Sequence, residues 1–231
     1  MTGAGLLTLH RDYDKLSRTR LSPNFILRNF LFSTEVARFG YTNYPSDDVK
    51  QVIESGRQLC AKVLEPTLEH LGRCAITFGY MSRESIERGW IPENRISKKR
   101  SSSPHQWDRG TFGAEIYARV DVLPFCVEDG LVSRHDFGQW MMHHLDIDLL
   151  MQYHQSNVYC VTISPKPRRV WLEWVPWGRG DNESNKVEYM GRDYWQNKFL
   201  ALTDEEKPKF SPSETSGRMQ WPKSALHAMV V

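Results

Sequence analysis

The segment Ser103-Pro-His-Gln-Trp-Asp-Arg-Gly110 sets a histidine at the edge of a polar loop, and the alternating stretch that follows ends near an aspartate, Asp121. Farther along, Val158-Tyr-Cys160 opens another β-prone run. A histidine nitrogen, a carboxylate and a third N or S ligand make a three-ligand set with one position open, as a catalytic zinc requires. Such a centre lowers the pKa of bound water and polarises a carbonyl. Spacing of this kind recurs by chance in many chains, so the elements that would carry His105, Asp121 and Cys160 have to be read as well.

Residues 113–122 alternate apolar and polar side chains, which predicts a strand with Glu115, Tyr117, Arg119 and Asp121 on one face. Upstream, Val49, Val52, Ile53, Leu59, Val63, Leu64, Leu68 and Leu71 recur at three- and four-residue spacing, the mark of an amphipathic helix over 47–71. Ser46 is its expected N-cap, Pro66 should kink or divide it, and Gly72 should end it. Cys74-Ala-Ile-Thr-Phe-Gly-Tyr80 reads as a strand entering the core. Residues 81–103 are polar and read as a long surface loop, whose Lys98-Lys-Arg100 triplet is a solvated face. Helical spacing returns over 137–151, with His135 and Asp136 as capping groups and His143 and His144 as one packed and one solvated ring. Strands are expected at 158–163 and 170–174.

Composition limits the alternatives. The 231 residues are 40% hydrophobic, enough for a real core. Thirty basic residues against 28 acidic ones give a net charge of +2, too small by itself to imply a polyanion partner. No stretch is long and apolar enough for a membrane span or a signal-peptide core, so a cytoplasmic protein without a membrane partner is expected. Cys60, Cys74, Cys126 and Cys160 lack C-x-x-C spacing and are expected as reduced thiols. The run from Pro165 to Arg179 mixes basic and aromatic residues that could stack bases. A strand pair whose Trp rings close the core, with Arg168 and Arg169 in solvent, is the favoured reading, so nucleic acid is not the favoured partner.

A resemblance adds to this. Leu21-Ser-Pro-Asn-Phe25, Phe32-Ser33, Ala37-Arg-Phe-Gly40, Asn43-Tyr-Pro45, Val63-Leu-Glu-Pro66, Gly72-Arg73 and Ile76-Thr-Phe-Gly-Tyr80 resemble, in order, the N-terminal half of the D-alanyl-D-alanine carboxypeptidase-like metallopeptidases. That resemblance implies a hedgehog/DD-peptidase-like α+β fold, with helices packed on a small antiparallel sheet. It also implies two regions: residues 1–181 as the domain and 182–231 as a partly ordered extension, in which 203–218 is mobile or partner-dependent.

In the family, S-x-H-x-x-G-x-A-x-D supplies a histidine and an aspartate to zinc, and E-x-x-W-x-H supplies the general base and the last ligand. Ser103 and His105 match the start of the first motif. An insertion stretches its remainder, which makes Asp121 the implied ligand and Asp108 the alternate. Cys160 stands where the family has its final histidine. Met81 replaces a substrate-orienting arginine, and Gln152, Tyr153 or His154 lies near the place of the base glutamate. The implied Zn2+ ligands are therefore His105, Asp121 and Cys160, with Tyr80, Ser103 and Arg119 at the substrate. His154 or Glu115 is the substitute base. The implied activity is hydrolysis of a small amide or peptide-like bond by zinc-activated water. The alternative is an inactive or repurposed member that binds a peptide, protein or nucleic acid.

Overall fold

A computed structural model of the chain describes residues 12–32, 43–45, 48–85, 105–108, 118–174 and 186–188. Ser103, Glu115, most of the 81–103 segment and nearly all of 182–231 lie outside the described residues.

The amphipathic spacing of residues 49–71 forms helix, but in three pieces. Helix α2 (Val49–Leu59) follows a short helix α1 (Arg28–Leu31), a π turn covers Cys60–Leu64, and helix α3 (Glu65–Leu71) completes the run. Proline explains the division. Pro66 has no N–H to return to the preceding turn, and the helix widens just before it, with the Glu65 N–H bonding to Cys60 O. Gly72, at φ 87°, ends the run in a conformation that suits glycine. Ser46 lies outside the described residues; the cap is Asp48, whose side chain accepts from the Gln51 N–H at 2.9 Å.

Among the described residues, six strands form one sheet in the order β1-β2-β4-β3-β5-β6: Cys74–Phe78, Ala118–Pro124, Tyr159–Ile163, Leu149–Tyr153, Val170–Trp174 and Lys186–Glu188. Helices and sheet together make an α+β architecture. The expectation of an antiparallel sheet needs correction, because β5 runs parallel to β3 and the sheet is mixed. A second correction concerns residues 137–151. Helix α5 (Arg134–His144), preceded by the short α4 (Phe125–Glu128), stops where Leu145 turns extended at φ −108° and ψ 144°. Leu149–Tyr153 is then strand β3. Its Leu-Leu-Met run suits helix or strand alike, and the open edge of β4 decides for the strand.

Alternation divides the sheet into two faces. Val120, Val122, Leu150, Tyr159, Val161 and Ile163 belong to the main core with helix residues Val52, Leu59, Phe137 and Met141. Arg119, Asp121, Met151, Tyr153, Cys160 and Thr162 fall on the other face.

Ser133 caps α5 by accepting from the Asp136 N–H. His135 packs against Trp171 instead of capping. His143 and His144 are both half-buried, and His144 stacks on Trp140. Arg169 is not in solvent: it is fully buried and donates to the carbonyls of Met142 and Leu145 at the end of α5. Arg168 forks onto the buried carboxylate of Asp148, with Nε donating to Oδ1 at 3.0 Å and Nη2 to Oδ2 at 2.6 Å.

Candidate metal centre

Asp121 and Cys160 are paired positions of β2 and β4, so their side chains rise side by side from one face. His105 reaches them from a separate segment that Trp107 anchors. The Trp107 ring is fully buried edge-on against Phe30 and Tyr80, and its Nε1 donates to Arg119 O at 3.1 Å. Gly56 leaves room for that ring, since a Cβ there would come within 3.2 Å of it. The His105 carbonyl accepts from the Met81 N–H at 2.9 Å, which ties the segment to the end of β1.

The ring of His105 is held on two sides. Its Nδ1 lies 2.7 Å from Gly79 O. A carbonyl only accepts, so Nδ1 carries the proton in that contact, and the ring is also hydrogen-bonded by the Arg119 backbone. Phe78 meets the ring edge-on at 4.5 Å. Nε2 lies 3.9 Å from Asp121 Oδ1, and one ligand atom each from His105, Asp121 and Cys160 lies within 4.8 Å of the others. All three side chains are buried.

Burial dominates the electrostatics of the three groups. Burial, followed by the positive Arg119, pushes His105 down to about 3, so the ring is neutral at neutral pH. Burial pushes Asp121 up, against the pull of Cys160, the Tyr153 hydroxyl and Arg119. Burial and the Asp121 charge push Cys160 well above the ordinary thiol range. Two buried acids side by side resist ionisation, and a bound dication would reverse that balance. Asp121 Oδ1 has no hydrogen-bond partner among the described residues, although it is buried. Such an atom costs free energy unless something fills its acceptor site. One imidazole nitrogen, one carboxylate oxygen and one thiolate are an appropriate donor set for zinc.

The other candidates fall into place around this group. Asp108 accepts from the Tyr80 hydroxyl at 2.9 Å, and Asp121 is the aspartate gathered with His105 and Cys160. Tyr80 is 1% exposed; it belongs to the core and offers no surface to a substrate. Arg119 shares the Asp121 face, with its Nε donating to Thr162 Oγ1 at 2.9 Å. Of the three residues near the expected base, His154 pairs with Glu173 at 3.0 Å. Gln152, with its amide oxygen toward Arg134, accepts from that guanidinium at 2.9 and 3.1 Å. Tyr153 turns to the site and donates to Asp121 Oδ2 at 3.0 Å. Sequence reasoning placed Tyr153 only near the expected base, because its helix ended at Met151 and it assigned no strand to the residues that follow. Period-two spacing from Met151, the partner of Cys160, was the signal for it. Gly79 contributes only a carbonyl, which no side-chain pattern reveals.

Compared with known proteins, the chain matches no family model, no curated protein and no solved structure.

Proposed function

We propose that this chain is a divergent DD-carboxypeptidase-like protein that holds one zinc on His105 Nε2, Asp121 Oδ1 and Cys160 Sγ and hydrolyses a small amide or peptide-like bond. The observation that carries the reading is the convergence of three buried donors, N, O and S, around an Asp121 oxygen with no hydrogen bond. Three protein ligands leave a fourth position for water or substrate, the count of catalytic rather than structural zinc sites. Bound there, zinc supplies an activated water and an electrophile for the carbonyl. The chain's own part is to present a neutral imidazole by fixing Nδ1 on Gly79 O, to screen the ligands from solvent, and to offer the half-buried Arg119 to an electron-rich group of the substrate. The order of small motifs from Leu21 to Tyr80 supports the family, and the family supports the substrate class.

A second reading, a member that has kept the centre and given up hydrolysis, draws on two observations. Met81, at the position of the family's substrate-orienting arginine, is 2% exposed, and Gln152 is engaged by Arg134.

Elemental analysis of protein purified without added metal tests the proposal. About one zinc per chain is expected, with His105→Ala and Cys160→Ala each losing it. A chain that takes up no metal even after incubation with zinc would overturn it. One zinc without turnover of any small amide or peptide would leave the second reading in its place.

A further inference from the structure

The pair Asp121 and Cys160 sits between two flanking groups on the same face. On one side are Arg119 and Thr162, themselves paired positions of β2 and β4. On the other is Tyr153, two residues beyond Met151, the residue that pairs with Cys160 from β3. Diagonal neighbours on one face of a sheet are within reach of a long aromatic side chain. The phenol uses that reach to donate to Asp121 Oδ2 at 3.0 Å, and it also lies within hydrogen-bond reach of the Cys160 thiol. The consequence is asymmetry in the carboxylate: Oδ2 is engaged, whereas Oδ1 has no hydrogen bond and is the oxygen nearer His105 Nε2.

We propose that Tyr153 is a positioning residue that makes Asp121 a one-oxygen ligand and so tunes the centre toward compact four-coordinate metals, zinc or cobalt, and away from calcium and magnesium. The inference rests on the metal-centre reading above. Chelation through both carboxylate oxygens raises the coordination number and suits the larger, oxygen-loving calcium ion. A single oxygen beside a nitrogen and a sulfur suits a tetrahedral ion. Hydrogen-bonded partners of this kind orient ligands, and their loss weakens metal affinity by about 10- to 100-fold.

The test titrates the full metal-free chain with Zn2+ against a chelator, and with Co2+ followed by visible absorption. The unmodified chain should bind one Co2+ with the intense bands of a four-coordinate, thiolate-bound ion. Tyr153→Phe should bind Zn2+ about 10- to 100-fold more weakly, and its cobalt bands should lose intensity as Asp121 swings to two-oxygen binding. Tyr159→Phe is the control for loss of a buried tyrosine hydroxyl bond as such. Its hydroxyl donates to Arg134 O at 2.5 Å from the core face, and its loss should leave metal affinity and spectrum unchanged. If Tyr153→Phe does not fold, 4-fluorophenylalanine at position 153 fills the hydroxyl's space without its proton. One equivalent of metal in the unmodified chain, with the same affinity and spectrum in the variant, would overturn the role of Tyr153 and leave the metal centre standing. No metal in the unmodified chain would overturn both.

Discussion

At the scale of the residue, the donor types of the candidate site were legible because their chemistry is carried by side chains, whereas the groups that hold them were not. His105, Asp121 and Cys160 are visible as types, but Gly79 contributes a backbone oxygen and Tyr153 a hydroxyl whose direction depends on strand register. Arg169 illustrates the same limit. Read as part of a basic and aromatic run, it belongs in solvent. In the fold its positive-φ backbone turns it inward to the carboxyl end of α5, where those carbonyls have no helical partner. Its charge also suits the negative end of the helix dipole. Arg169→Met should cost about 1–3 kcal/mol, because it strands the buried Met142 carbonyl, whereas Leu145 O keeps the Ile147 N–H. Urea denaturation of the metal-free protein measures this. A cost below ~0.5 kcal/mol, the level of a neutral surface change, would show that water satisfies those carbonyls.

At the scale of the element, periodicity predicted α2, α3, β4 and β5 well, because each has one clear spacing. It failed at β3, whose apolar run fits either period, and pairing with β4 settled the matter. Two glycines, Gly56 inside α2 and Gly79 just after β1, give contrasting predictions. A Cβ on Gly79 would stand 2.5 Å from Phe30 O and 2.7 Å from Phe30 Cα. Backbone cannot step aside as a side chain can, so Gly79 itself must shift, and its own carbonyl is the anchor of His105. Gly79→Ala should therefore lower both stability and zinc content. A Cβ on Gly56 would meet Leu21 Cδ1 at 2.9 Å, the tip of a flexible side chain, so Gly56→Ala should cost about 1–3 kcal/mol as overpacking and keep the zinc. Thermal denaturation and elemental analysis of both variants separate the two effects. Equal zinc loss in both would mean that the Gly79 anchor has no special place.

At the scale of the whole molecule, the three cysteines away from the site join separate parts of the chain: Cys60 lies in the π turn, Cys74 opens β1 and Cys126 lies in α4. All are free thiols, and Cys60 and Cys126 are among the buried core residues. Burial pushes Cys60 and Cys74 up to about 12 and Cys126 up to about 11. Unfolded, each would lose its proton near its ordinary value of 9.0. Between pH 9 and 11 the native state therefore holds more protons than the unfolded state, and stability falls as pH rises. The contribution is fully present below pH 9 and disappears as pH climbs through the native values. Each fully buried thiol accounts for about 1.4 kcal/mol per pH unit in that window. The metal-free protein should accordingly unfold at lower urea concentration at pH 10 than at pH 8. Cys60→Ala with Cys126→Ala should flatten that dependence, even though the double variant begins less stable for want of packing. A pH 8 to 10 difference as steep in the double variant as in the unmodified chain would assign the alkaline loss to other groups, the remaining thiols Cys160 and Cys74 first among them.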